Sequence, residues 1–310
     1  MSFDLYFCRR QNCIFEPGPL LSKLRTIPRF SIHSNSPEKF QAWYENEETG
    51  VYFSLELGPV ESEPPEDSPV PTEYLYTGLS FNLNLVRPSF FAREAMPFVE
   101  RLCDEFQLLV FDPQQPTDET SQGPRKLTKS QLIASWERSN RWVVPAVYGT
   151  GDLDEPSYRY YSREKADFWW EYQIGRSALQ SHFGNDVWVP AISLLAKERQ
   201  IYGAVLWSDA LPQVFPECDF IIIQKTKKSW FRKTSEFPLT LVPFEVVVQA
   251  LGSSLREVGG KRWNDLKFVH PDDREAKKTF ERMIGEPMDG YNGASSDSFV
   301  DIQVPSLLAS

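Results

Sequence analysis

Three histidines, His33, His182 and His270, are the only side chains here whose ordinary pKa suits acid–base work near neutral pH, and no two are close in sequence. His182 sits where a helix ends, which suits a positive charge, and His270 precedes the proline of a helix start; both are expected to be structural positions. Catalysis by a cysteine or serine would need the fold to bring one of them beside a nucleophile. Cys8, Cys13, Cys103 and Cys218 lack the second pair that a zinc site requires. There is no H-E-x-x-H, G-x-S-x-G or Walker-type glycine loop. Gly149 to Glu155 begins like a calcium loop, but Pro156 stands where the spacing demands Asp or Asn, so a surface turn is expected. The expectation is a protein that is not an enzyme and holds neither metal nor cofactor. The alternative is an enzyme whose site is assembled from distant residues.

Two stretches suit binding instead. Residues 58–73 contain five prolines and the acids Glu61, Glu63, Glu66 and Asp67, with no basic residue, which predicts an exposed, extended loop. Those four acids are the candidate partner-binding residues. Lys225 to Lys233 carries five basic residues and two aromatics. Its Lys225, Lys227, Lys228, Trp230 and Arg232 are the candidates for an alternative role in nucleic-acid contact.

The charge decides between these. Of the net −10, residues 1–124 carry the whole excess, with 9 Lys or Arg against 19 Asp or Glu, while the rest carries 24 of each. An acidic half repels nucleic acid and anionic membranes and speeds encounter with a basic protein. No apolar run approaches membrane-spanning length. Free thiols and an N-terminus without a signal pattern suggest the cytoplasm.

The elements that must position these residues are legible in part. Leu79, Phe81, Leu83 and Leu85 alternate with polar residues as a half-buried strand. Phe91, Ala95, Phe98, Leu102 and Phe106 recur at helical spacing, with Pro97 predicting a kink or restart. Leu108 to Phe111 then predicts a buried parallel strand. Phe3, Leu5 and Phe7, and Val51 to Leu57, predict two more alternating strands. Ser36-Pro37 has the form of a helix start, with Phe40, Trp43 and Tyr44 inward.

Thr128 and Ser162 are expected to cap two further helices, the second carrying adjacent apolar stripes of Phe168, Tyr172, Gly175, Leu179, Phe183 and of Ala166, Trp170, Ile174, Ala178. Strands are expected over Val187 to Leu195, Ala204 to Trp207 and Phe220 to Ile223, the last central. Pro243 is expected to open a helix reaching Leu251, although Val246 to Val248 suit a strand equally. A last helix follows His270 to Asp273, with Ala276, Phe280, Met283 and Ile284 inward. The fold expected is α+β, a mixed β-sheet with flanking helices plus a smaller C-terminal helical region. Its domains would be 1–235, 236–285 and a loosely ordered tail at 286–310.

Ser2 to Phe7, the Tyr44-Glu45-Asn46 to Gly50-Val51-Tyr52-Phe53 segment, and the Asn82 to Phe91 segment with Arg87-Pro88-Ser89 resemble uncharacterised bacterial cytoplasmic proteins. Some of those look like immunity proteins against type VI secretion or other polymorphic toxins. The resemblance covers the first third of the chain. It implies a cytoplasmic toxin inhibitor acting by protein–protein interaction with a cognate toxin or effector, which the acidic charge balance expects to be basic, and it carries over no functional residue.

Overall fold

The period-two alternation of the N-terminal strands builds the first of two compact units, residues 1–156 with 299–310; the second is 157–298. The structure is a computed structural model describing residues 1–58, 73–114, 123–148, 159–225, 239–259, 263 and 266–303. Six α-helices and fifteen strands among the described residues form mixed sheets with flanking helices, an α+β fold. No described helix is long and apolar enough to cross a membrane.

The first unit contains β1 (Ser2–Arg10), α1 (Pro17–Leu24), β2 (Phe30–Ser36), β3 (Lys39–Asn46), β4 (Val51–Leu57), β5 (Tyr74–Asn84), α2 (Phe90–Phe106), β6 (Leu109–Phe111) and α3 (Lys129–Tyr148). Its sheet runs in the order β2-β3-β4-β5-β1-β6. Phe3, Leu5, Phe7, Val51, Phe53, Leu55, Leu79, Phe81 and Leu83 are fully or almost fully buried. The rings of Phe53 and Phe98 pack 5.5 Å apart, which places α2 on that apolar side.

Two expectations change here. The strands flanking α2 do run parallel, yet they are not neighbours: β1 pairs antiparallel with both β5 and β6 and lies between them. Ser36-Pro37 starts no helix. It turns a β2–β3 hairpin, because Phe40 and Ala42 alternate inward against β4, and tertiary pairing outweighs the capping signal. Helix α2 runs unbroken with Pro97 inside it. Val86 adopts φ 60, a rare conformation for a β-branched residue. Buried Asn140 of α3 holds it, accepting from the Val86 N–H at 2.6 Å and donating to the Arg87 carbonyl at 2.9 Å. Thr128 caps α3 as expected, accepting from the Gln131 N–H, while Gln131 Oε1 accepts in return from the Thr128 N–H.

The second unit contains α4 (Arg163–Phe183), β7 (Ser193–Lys197), β8 (Gln200–Ser208), β9 (Val214–Phe215), β10 (Phe220–Gln224), β11 (Leu239–Pro243), α5 (Phe244–Leu251), β12 (Leu255–Glu257), β13 (Lys267–Val269), α6 (Arg274–Arg282), β14 (Glu286–Pro287) and β15 (Asn292–Ala294). Its main sheet is ordered β14-β11-β10-β8-β7-β15, with β8 and β10 parallel at the centre, as the Phe-Ile-Ile-Ile run predicts. A small sheet joins β12, β13 and β9.

The compact units do not divide at the expected position, residue 235. Strands β10 and β11 lie either side of it and pair from Phe220↔Pro243 to Gln224↔Leu239, because the buried Ile221 to Ile223 strand requires a neighbour on both edges. Nor is 286–303 a loose tail. β14 joins β11 at one sheet edge and β15 joins β7 at the other, so the chain between them spans the sheet and lays Met288 and Tyr291 against Leu195, Ala204, Ile222 and Leu241. Phe299, Val300 and Asp301 are then buried in the first unit.

Ser162 caps α4 through the Lys165 N–H and Gly184 ends it. Only part of the expected apolar surface of α4 is covered: Ala166, Tyr172, Gly175 and Leu179 are buried, whereas Ile174 is 39% exposed; Trp169, outside both expected stripes, is buried as well. The segment before β7 fixes that burial, since its Ile192 and Pro190 carbonyls accept from Trp169 and Tyr172. Strand β7 starts at Ser193, later than expected, and Ile284, 93% exposed, leaves the α6 face to Ala276 and Phe280.

Candidate functional site

With the apolar residues of β1, β4 and β5 turned toward α2, the alternate residues form the opposite face of the first sheet. Register aligns them in rows. Trp43, Ser54, Asn82 and Asp4 lie abreast across β3, β4, β5 and β1. Gln41, Glu56, Ser80 and Tyr6 form the next row, and Glu45 stands opposite Tyr52. Trp43 is 39% exposed, and Glu45 and Glu56 are exposed.

Polar contacts hold this face in place. Asn82 Nδ2 donates to Asp4 Oδ1 at 2.6 Å, and Ser2 Oγ donates to Asp4 Oδ2 at 2.8 Å. Asn84 Nδ2 and Arg87 Nη2 both donate to the Tyr52 hydroxyl, at 3.0 and 2.9 Å. The rings of Tyr6 and Tyr76 meet edge to face at 5.8 Å. Burial raises the pKa of both phenols, so they remain neutral hydrogen-bonding groups at physiological pH. The result is an open, ordered surface that joins aromatic area to the acids Asp4, Glu45 and Glu56.

At one end of the sheet, Arg10, Gln11, Asn12, Glu73 and Tyr74 line a polar hollow of about 400 Å³. The acidic segment between β4 and β5 re-enters the described chain there, at Glu73. Glu61, Glu63, Glu66 and Asp67 themselves lie outside the described residues, as does the Gly149 to Glu155 turn.

The most concentrated polar cluster is one that spacing does not reveal. Glu94 of α2 accepts from Tyr44 Oη at 2.9 Å, Asn46 Nδ2 at 2.7 Å and Thr49 Oγ1 at 2.9 Å, partners 45 to 50 residues away. Arg29 pairs with Glu48 at 3.0 Å nearby in the chain. Burial, then Glu94, push the Tyr44 phenol up to about 12, so it serves as a donor. With three donors on one carboxylate, the cluster locks the β3–β4 turn to α2 rather than presenting a group for proton transfer.

His33 is exposed on β2, the His182 ring packs edge-on to Phe183, and His270 Nδ1 accepts from the Asp272 N–H at 3.3 Å. Burial pushes the Cys8 and Cys103 thiols up to about 12 and raises Cys218 further, away from nucleophilic thiolate. Among the described residues no group of three His, Cys, Asp or Glu is placed to hold a metal. Lys225 Nζ donates to the carbonyls of Glu281 and Met283, at 2.9 and 2.6 Å, and so closes the C-terminus of α6. Lys227, Lys228, Trp230 and Arg232 lie outside the described residues.

The second unit carries a cavity of about 370 Å³ beside α4, lined by Phe168, Trp170, Glu171, Tyr172, Ile174, Trp263 and Leu266. Trp263 rests on the helix backbone at Gly175, where an added Cβ would lie 2.2 Å from its ring. In sequence this lining shows only as parts of the two helical stripes, Phe168 with Tyr172 and Trp170 with Ile174, the second of which the fold leaves partly covered. No protein-family model, curated protein or solved structure matches the chain.

Proposed function

We propose that the protein is a cytoplasmic, non-enzymatic immunity-type protein that binds and neutralises a cognate secreted bacterial toxin of basic character. The observation that carries this reading is the outer face of the first sheet, where Trp43, Tyr52 and Tyr6 stand among Asp4, Glu45 and Glu56. Aromatic residues of this kind supply most of the affinity at protein interfaces, while surrounding acids speed encounter with a basic partner. The acidic excess of residues 1–124 supports the same choice of partner. Glu61, Glu63, Glu66 and Asp67 take the steering role, on the segment that joins two strands of this sheet.

The test is co-expression with the products of neighbouring genes, followed by association kinetics at low and high salt. Trp43→Ala is expected to weaken binding by about tenfold or more, through faster dissociation. Replacing the four loop acids with Ser slows association and flattens its salt dependence. Failure to bind any neighbouring gene product defeats the proposal; an unchanged association rate in the quadruple variant defeats only the steering role.

A further inference from the structure

We propose that the outer face of the first sheet reads an extended, arginine-bearing segment of its partner, with arginines four positions apart and an apolar residue midway; this rests on the reading of that face as a partner surface. Register sets the spacing. Trp43 of β3, 39% exposed, lies opposite Ser31 of β2 and Ser54 of β4, so its direct neighbours across the sheet are both small. Glu45 stands two residues along β3 on one side of it. Glu56, opposite Gln41, lies beyond it on the other side. With about 3.4 Å per residue and about 4.8 Å between strands, the backbone positions of Glu45 and Glu56 are roughly 14 Å apart, with Trp43 between them. An extended chain covers about that distance in four residues, and its alternate side chains point one way. A segment of pattern Arg-x-apolar-x-Arg therefore sets its two cations on the two carboxylates and its central residue on the indole.

The charges on this face favour that occupant. Glu45 and Glu56 are exposed, and neither side chain makes an ion pair among the described residues. Asp4 is held by Ser2 and Asn82 and so orders the face. Of the nearby cations, Arg87 donates to the Val86 carbonyl and the Tyr52 hydroxyl. Exposed His33 adjoins Gln41 from β2, and exposed Lys39 lies two residues before Gln41 on β3. Against that lysine a guanidinium has the advantage, because it forks onto a carboxylate where an ammonium is a point charge. The segments of the first unit outside the described residues, 59–72, 115–122, 149–156 and 304–310, contain no Lys or Arg, so they bring no cation to this face.

The experiment titrates the isotopically labelled full chain with Ac-Arg-Ser-Leu-Ser-Arg-NH2 and follows the indole N–H resonance of Trp43, assigned by its loss in Trp43→Phe. The control is Ac-Ser-Arg-Leu-Arg-Ser-NH2, of equal composition and charge, whose arginines fall on the opposite side of an extended chain from its leucine. Saturable shifts are expected with the first peptide, with the control weaker by about fivefold or more. Glu45→Gln and Glu56→Gln, both at exposed positions, each lower affinity by about two- to fivefold, the range of a single exposed ion pair. Absence of a saturable shift with the first peptide overturns the proposal. So does equal affinity for the two peptides, which would mean attraction without register, or unchanged affinity in both Gln variants. The peptides probe this face without any toxin. Peptide binding with no bound neighbouring gene product removes the toxin reading alone, and toxin binding without peptide binding removes this inference alone.

Discussion

Asp301 caps α2 from 212 residues away: its Oδ2 accepts from both the backbone N–H of Ser89, at 3.0 Å, and the Ser89 hydroxyl. Both residues are buried, and Phe299 packs its ring 6.3 Å from that of Phe90 beside them. The end of the described chain is therefore part of the first unit, with an anion at the positive end of its central helix. Asp301→Ala strips a buried N–H of its acceptor and should lower stability by about 2 kcal/mol. Urea unfolding would register this as a reduced midpoint; an unchanged midpoint would show the cap to be idle.

A larger loss is expected at Glu94. Asn46 and Thr49 are 1% and 0% exposed, so Glu94→Ala leaves two desolvated donors without their acceptor. The cost should reach about 3 kcal/mol, with Glu94→Gln, which keeps one carbonyl oxygen, costing less. Equal stability of the two variants would contradict the carboxylate's role as a shared acceptor.

Alkali should destabilise the protein ahead of general deprotonation. Cys8 and Cys103 rise from an ordinary 9.0, and Tyr44 from 10.0, each to about 12 in the folded state. Between those limits the unfolded chain gives up protons that the folded one keeps, so stability is full below pH about 9 and falls as pH rises toward 12. Denaturation midpoints measured across that range should decline. Iodoacetamide at pH about 8.5 should modify Cys8 and Cys103 only on unfolding.

Gly175→Ala separates helix propensity from cavity structure. Alanine favours the helix by about 1 kcal/mol over glycine, but its Cβ would meet the Trp263 ring at 2.2 Å. The ring is a side-chain end and yields, so overall stability should move by no more than about 1 kcal/mol in either direction. Tryptophan emission should shift red as the Trp263 ring is pushed off the helix. An unshifted emission spectrum would show that the ring keeps its seat over position 175.

What the sequence determined alone is what local chemistry can encode. Alternation in Phe3-Leu5-Phe7 and Val51 to Leu57 marks strands because a pleated backbone sends successive side chains to opposite faces. Ser162 and Asp273 mark helix starts because each accepts from an N–H three residues on, at Lys165 and Ala276. Ser36-Pro37 shows the limit of such signals: the same dipeptide opens a helix or turns a hairpin, and β4 beside Phe40 and Ala42 decided for the hairpin. Tertiary structure alone placed β1 between β5 and β6, gathered Tyr44, Asn46 and Thr49 on Glu94, seated Trp263 on Gly175 and returned Asp301 to Ser89. Each of these joins residues whose sequence separation leaves no periodic trace, because the free energy that selects them comes from burying and pairing groups across the whole chain.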